Sequence, residues 1–262
     1  MRFVHELHNR GKRTLEDIRL GLVLPPELSR QEILLLRVSP GSRIVRDGHG
    51  NRVALFERRR LDPGRMLVAQ WFATVRLREV TALPGRECLP AEKRELYLRD
   101  RPVYCLTDRS IQELARLAVE GSQGGLDRVR GIHRVVLELL SYKRDGRWDS
   151  APICLAKGEG SCSEHSYCFI ALARASGLPS RFVGGLSLLD AGAPVYEDRI
   201  FHRWAEVWLP ELGWFPVDCS RDDRAELEGR KPALGRTRWN LLVLARGDGG
   251  EQSLTGFNYH SL

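Results

Sequence analysis

The chain has 262 residues, 42% of them hydrophobic and 29% charged, with 41 lysines and arginines against 34 aspartates and glutamates for a net charge of +7. That is enough apolar material for one large domain or two ordinary ones, and no apolar run approaches the length a helix needs to span a bilayer. Basic residues cluster at Arg58-Arg59-Arg60 and from Arg221 to Arg238. Acidic residues interrupt most other stretches and no aromatic–basic interleaving occurs, so the excess reads as solvated surface and no nucleic-acid partner is expected.

The first segment, MRFVHELHNRGKRTLEDIR, has no apolar stretch followed by a small-residue cleavage site, so a cytoplasmic protein with no membrane partner is expected. Residues 1 to about 81 read as β structure. EDIRLGLVLP, QEILLLRVSPG, NRVALFERRR and MLVAQWFATVRLREV are short apolar or alternating runs divided by turn residues, and Asp47-Gly48-His49-Gly50-Asn51 is a strong turn between two of them. The expectation is a small β-sandwich. ALPGRECLP, Ala82 to Pro90, has the prolines and glycine of a linker.

Two helical patterns follow. Ile111, Leu114, Leu117 and Ala118 recur at helical spacing after the cap candidates Asp108 and Ser110. Val129, Ile132, Val135, Val136, Leu139 and Leu140 form a wide apolar stripe. Asp145 to Gly160 reads as a loop. A third helix opens near Cys162, puts Phe169, Leu172 and Ala173 on one face, and stops at Gly177 before Pro179. Period-two segments then run to the end: SRFVGGLSL, FHRWAEVWL, GWFPVDC and WNLLVLAR. Helices followed by antiparallel strands make an α+β fold.

Six cysteines (Cys88, Cys105, Cys154, Cys162, Cys168 and Cys219) in a chain of this length are not a disulfide framework. Cys162 differs from the others by its place in the first turn of a helix, where the macrodipole and free N–H groups favour a thiolate. Catalysis by a thiol also needs a histidine to hold the sulfur anionic and a carboxylate to orient that histidine. In FHRWAEVWL, His202, Trp204, Glu206 and Trp208 share one face of a strand, opposite the core-like Ala205, Val207 and Leu209. PELG turns the chain, and GWFPVDC returns with Asp218 within side-chain reach of His202, directly or diagonally. A zinc site at Cys162, His165 and Cys168 is disfavoured: at about 100° per residue, Cys168 lies roughly 240° around the helix from Cys162. Cys154, Cys168 and Cys219 read as structural thiols, and Trp204, Trp208 and Trp214 as either groove lining or packing.

Three blocks in order carry a resemblance to the transglutaminase-like superfamily of papain-fold enzymes, over roughly residues 95 to 250. They are Gly160-x-Cys162 continuing into Gly177-Leu178-Pro179-Ser180-Arg181, then His202-x-Trp204-x-Glu206-Val207, then Gly213-Trp214-x-Pro216-Val217-Asp218. The β-rich segment with its Gly-Asn turn resembles the accessory domain found before such cores in many bacterial members. The resemblance implies a β-sandwich accessory domain over 1–85 and a papain/transglutaminase-like core over 86–262, with helices packed on an antiparallel sheet. It implies a Cys162–His202–Asp218 triad and acyl transfer from peptide or protein amides through a thioester, to water or to an amine. No cofactor or metal is implied, and no acidic loop demands calcium. Trp148, Ser161 and Trp204 are candidates for the substrate groove or oxyanion site, beside the backbone N–H of Cys162. The chain departs from the family at Ser166 and Arg203, which replace small alanines, at Cys219-Ser220 after Asp218, and in the distal ARGDGGEQ. Those departures keep open a non-catalytic, peptide-binding or assembly module on the same fold.

Overall fold

A computed structural model describes residues 1–81, 88–144, 146–188, 201–227 and 234–248. The first third is strands only: β1 (Arg2–His8), β2 (Leu15–Val23), β3 (Gln31–Val38), β4 (Ser42–Arg46), β5 (Arg52–Leu61) and β6 (Met66–Leu77). They form two antiparallel three-stranded sheets, ordered β1-β6-β3 and β2-β5-β4. The alternation of β6 shows why: Leu67, Ala69, Trp71 and Ala73 are buried, while Met66, Val68 and Phe72 face out. The buried set meets Ile18, Leu20 and Leu22 of β2 and Phe56 of β5 in one core, and the Trp71 indole N–H donates to the Val23 carbonyl at 3.0 Å. The turn expected at Asp47 joins β4 to β5. The Asp47 carboxylate accepts from the backbone N–H groups of His49 (3.0 Å) and Asn51 (2.8 Å), and Gly50 takes the left-handed φ of 84° that glycine tolerates.

The short strand β7 (Val80–Thr81) ends this part; most of the expected linker, residues 82–87, lies outside the described residues. The core then runs α1 (Ala91–Leu96), α2 (Arg109–Ala118), α3 (Gly125–Leu139), β8 (Ser141–Tyr142), α4 (Ala151–Lys157), β9 (Glu159–Gly160), α5 (Cys162–Ala175), β10 (Ser180–Ser187), β11 (Phe201–Leu209), β12 (Gly213–Val217), α6 (Cys219–Leu227), β13 (Arg236–Thr237) and β14 (Leu241–Gly247). Four of these strands make an antiparallel sheet in the order β12-β11-β10-β14, with helices packed on it. The fold is α+β, as the order of elements implied. The distal ARGDGGEQ lies outside the described residues from Gly249 onward.

Three sequence expectations need correction. Residues 145–160 are not a continuous loop, because α4 runs through them from the N-cap Ser150 to Gly158, whose φ is 73°. Pro152 falls in that helix's first turn, where a missing N–H costs nothing. Cys219 and Ser220, the departure from the family after Asp218, open α6, with Asp222 in its first turn. In α2 the inward residues are Ile111, Ala115 and Ala118, while Leu117 faces solvent. Helix α5 carries no one-sided stripe: every residue from Cys162 to Arg174 is buried, because α2, α3, α4 and α6 pack around it and β10 and β11 lie against it.

The outer edge of β14 is covered by side chains of the N-terminal sheets. Gln31 donates to the Val243 carbonyl (2.9 Å) and accepts from the Val243 N–H (2.8 Å). Asn51 does the same with Arg246, at 2.6 and 2.9 Å. Each primary amide replaces a neighbouring strand and blunts an edge that would otherwise stay unpaired.

Candidate active site

Helix α5 begins in a capping box. The Ser161 hydroxyl accepts from the Ser163 N–H at 3.3 Å, and Glu164 reaches back to accept from the Ser161 N–H at 2.9 Å and from its hydroxyl. Gly160 is needed just before it, since a Cβ there would lie 2.6 Å from the Glu164 Cβ. Cys162 is thereby fixed as the first helical residue, 9% exposed.

Strands β11 and β12 supply the other two groups. Their ladder runs from Leu209 opposite Gly213 to Ala205 opposite Val217, so Asp218 leaves β12 one step past the last pair, diagonal to His202. The His202 Nε2 and Asp218 Oδ2 are 2.6 Å apart, and the Ser220 hydroxyl donates to Asp218 Oδ1 at 3.1 Å. With Nε2 held by Asp218, Nδ1 is the ring nitrogen left for the Cys162 sulfur, which is close enough for His202 and Cys162 to shift each other's protonation. The structure therefore brings all three sequence-derived residues together.

Burial disfavours the charged form of each group, and their mutual interactions reverse that for all three. Burial would raise the Asp218 carboxyl, but the charge and hydrogen bond of His202 hold it below the ordinary carboxylate range. Burial would lower the His202 imidazole; Asp218 and Cys162 instead raise it to about 10. The Cys162 thiol, which burial pushes up, is brought below its ordinary value by the hydrogen bond and charge of His202, the Arg203 guanidinium and the Arg203 backbone N–H. All three directions favour a thiolate–imidazolium pair.

The groove and oxyanion candidates are placed less favourably. The hydroxyl hydrogen of Ser161 is committed to Glu164. Trp204 is 1% exposed, buried with Val183, Leu241 and Val243 under Leu28. Its ring stacks on His202 at 5.8 Å, so it braces the imidazole from behind. Trp148 is half-buried, with the Arg203 guanidinium 5.0 Å from its ring centre. A residue not singled out from the sequence, Tyr142, stands near the sulfur: β8 pairs it with Gly160, and burial together with the charge of Cys162 raises its hydroxyl. Nothing marked it in advance, because the sequence places it at the tail of a helical pattern.

Other titratable groups are packed away from this site. Burial pushes the Cys168 and Cys219 thiols well up, and His133 is buried against Asp222 at 2.9 Å. The His165 ring lies 2.9 Å from the Ser161 carbonyl, and its Nε2 is buried with no side-chain or backbone hydrogen bond among the described residues. Among the described residues, no group of three or more histidines, cysteines, aspartates or glutamates is arranged to hold a metal ion.

A cysteine at a helix start, with histidine and aspartate presented by adjoining antiparallel strands, defines the class of site. Residues 112–219, which contain all three, match the model of the transglutaminase-like superfamily. It is similar in fold to a structure described as a "putative cysteine protease" from Cytophaga hutchinsonii, at a TM-score of 0.59 and 18% identity over 94% of this chain and 84% of that one. It also aligns with the periplasmic domain of TgpA from Pseudomonas aeruginosa, at a TM-score of 0.43 and 15% identity over 85% and 77% of the two chains. A third alignment is to red sea bream transglutaminase, at a TM-score of 0.38 and 12% identity over 84% and 48%. No curated protein sequence matches the chain.

Proposed function

We propose that the chain is a cysteine-dependent amide hydrolase or acyltransferase acting on peptide or protein amides. The observation that carries this reading is the His202 imidazole, hydrogen-bonded to Asp218 at 2.6 Å and close enough to the Cys162 sulfur that each group shifts the other's protonation. The thiolate attacks the amide carbonyl carbon, and the developing oxyanion is met by backbone N–H groups at the start of α5, including that of Cys162. The carbon–nitrogen bond then breaks, the departing amine takes its proton from the imidazolium, and a thioester remains. Water or an amine next attacks the thioester while His202 accepts its proton. The carbon–sulfur bond breaks, the thiolate–imidazolium pair is restored, and a carboxylic acid or a new amide leaves. Asp218 holds the imidazole in the tautomer this exchange requires.

The four buried cysteines stand unpaired, which supports a reducing, cytoplasmic compartment; no described helix is long and apolar enough to cross a membrane. The test is alkylation. Iodoacetamide near pH 6, about 2.5 units below an ordinary thiol pKa, labels Cys162 selectively, and His202→Ala removes that selectivity. Labelling that follows an ordinary thiol and ignores the substitution defeats the reading. Product analysis with and without an added primary amine then separates transfer from hydrolysis.

A second reading, a non-catalytic peptide-binding module, draws on one observation: Arg203, 7% exposed, sits beside the sulfur with its guanidinium against Trp148. Under it, Cys162→Ala leaves peptide binding and phenotype intact. Loss of the phenotype with binding retained supports the enzyme.

A further inference from the structure

A cavity of about 340 Å³ lies between the N-terminal sheets and β14, a volume at the lower end of small-molecule sites. None of its lining residues belongs to the triad. Four arginines from four strands face it: Arg46 of β4, Arg52 of β5, Arg181 of β10 and Arg246 of β14. Glu27 is the one carboxylate among the described residues of its lining, and it accepts from the Ile33 backbone N–H at 3.2 Å.

The charge beneath the cavity does not balance. Arg181 hydrogen-bonds Glu206 Oε2 through Nε at 2.7 Å and Nη2 at 2.6 Å, with its guanidinium 3.7 Å from the Trp214 ring centre. The Arg246 Nε lies 3.8 Å from the same oxygen, too far for a hydrogen bond, and is buried with no acceptor among the described residues. Arg30 adds a third guanidinium within the field of that one carboxylate. Burial and the repulsion of Arg181 bring the Arg246 guanidinium down to about 10. Unneutralised buried charge is costly, and a bound counter-charge removes the cost. Guanidinium forks converging from four strands suit a tetrahedral oxyanion with acceptors on several sides better than one planar carboxylate.

We infer that this cavity is a binding site for a doubly charged phosphate, either free or as the ester of a small molecule, held by Arg46, Arg52, Arg181 and Arg246. The site is separate from catalysis. Glu206 lies four residues from His202 along β11, roughly 13 Å at strand spacing, with the buried Trp204 between them. Its walls come from both halves of the chain, so ligand binding clamps the seam between them.

The experiment is calorimetric titration and thermal unfolding of the full chain with inorganic phosphate and with glycerol 3-phosphate, against sodium chloride at matched ionic strength. Saturable one-to-one binding with a raised Tm is expected from at least one phosphate compound. The tighter of the two identifies the source as the free anion or an ester. Arg246→Gln weakens binding about tenfold or more, the loss of one charge-assisted hydrogen bond. Arg46→Gln and Arg52→Gln, at the more exposed mouth, together do the same with an unchanged circular dichroism spectrum. Cys162→Ala binds phosphate like the wild type, so failure here is separable from failure of the catalytic reading. No saturable heat beyond the chloride control, or an affinity indifferent to the mouth substitutions, overturns the site.

Discussion

A thiol 9% exposed is a poor nucleophile unless something nearby makes its anion cheaper than its neutral form, and here that work falls on His202. The pair titrates as a unit, so its pH limits belong to both residues. The sign follows from the shifts. Cys162, lowered, loses its charge as pH falls and sets the acid limb; His202, raised to about 10, loses its proton on the alkaline side and sets the other. A kcat/KM profile is therefore expected to be bell-shaped with an alkaline limb at about 10. Asp218 is a principal cause of that elevation, so Asp218→Asn moves the alkaline limb toward the ordinary imidazole value of about 6.5 and lowers kcat by several orders of magnitude through the wrong tautomer. An alkaline limb that stays put in Asp218→Asn separates the aspartate from the histidine's charge. At this scale the sequence was informative about the three residues, because a helix-start cysteine and a period-two strand each have a local signature. Tyr142 and the pairing of Arg203 with Trp148 depend on contacts between distant segments, which no spacing encodes.

Helix α5 shows how an element fixes a residue. Ser161→Ala removes a side-chain cap and one of the two donors to the buried Glu164, leaving the Ser161 backbone N–H. A loss of about 1 to 2 kcal/mol in urea unfolding is expected, together with slower Cys162 alkylation as the first turn loosens. A stability loss with unchanged alkylation would show that the cap holds the helix and not the nucleophile. Behind it, α2 and α3 cross so closely that a Cβ at Gly131 would sit 1.9 Å from the Ala118 carbonyl oxygen. Gly131→Ala must push the helices apart, and a loss of about 3 kcal/mol is expected in the same measurement, despite alanine's better helix propensity. A neutral or stabilising result would mean that the two helices part at little cost. The hidden elements were hidden for a shared reason. Pro152 and Asp222 are of types that turns also favour, yet each falls in a helix's first turn, where proline or negative charge is favourable. The burial of α5 on every side was likewise invisible, since its serines and alanines mimic a polar face while fitting close against neighbours.

At the scale of the molecule, the question is whether the β-rich segment is a detachable accessory, as the 1–85 and 86–262 division implies, or part of what holds the core together. Phe3 stacks on Trp71 at 5.2 Å and meets Phe201 of β11 edge-on at 5.9 Å, and the buried apolar cluster runs without a break from β2 and β6 into α5 and β14. The amide of Gln31 satisfies both backbone groups of Val243, 212 residues away in sequence, a pairing that no local pattern could announce. We therefore propose two modules that unfold as one. Gln31→Leu keeps much of the side-chain volume but strands a buried N–H and a buried C=O on β14, each an expensive group to leave unmatched. The expected outcome is a loss of about 3 kcal/mol, seen as a lower urea midpoint with the transition still single. Two resolved transitions in the wild type, by tryptophan fluorescence and far-ultraviolet circular dichroism, would instead mean that the sandwich and the core keep separate stabilities and that the seam is only a contact. If the transition is single, Gln31→Leu also lowers Cys162 alkylation near the midpoint, because Trp204, which backs His202, is buried with Val243 on the very strand that Gln31 caps.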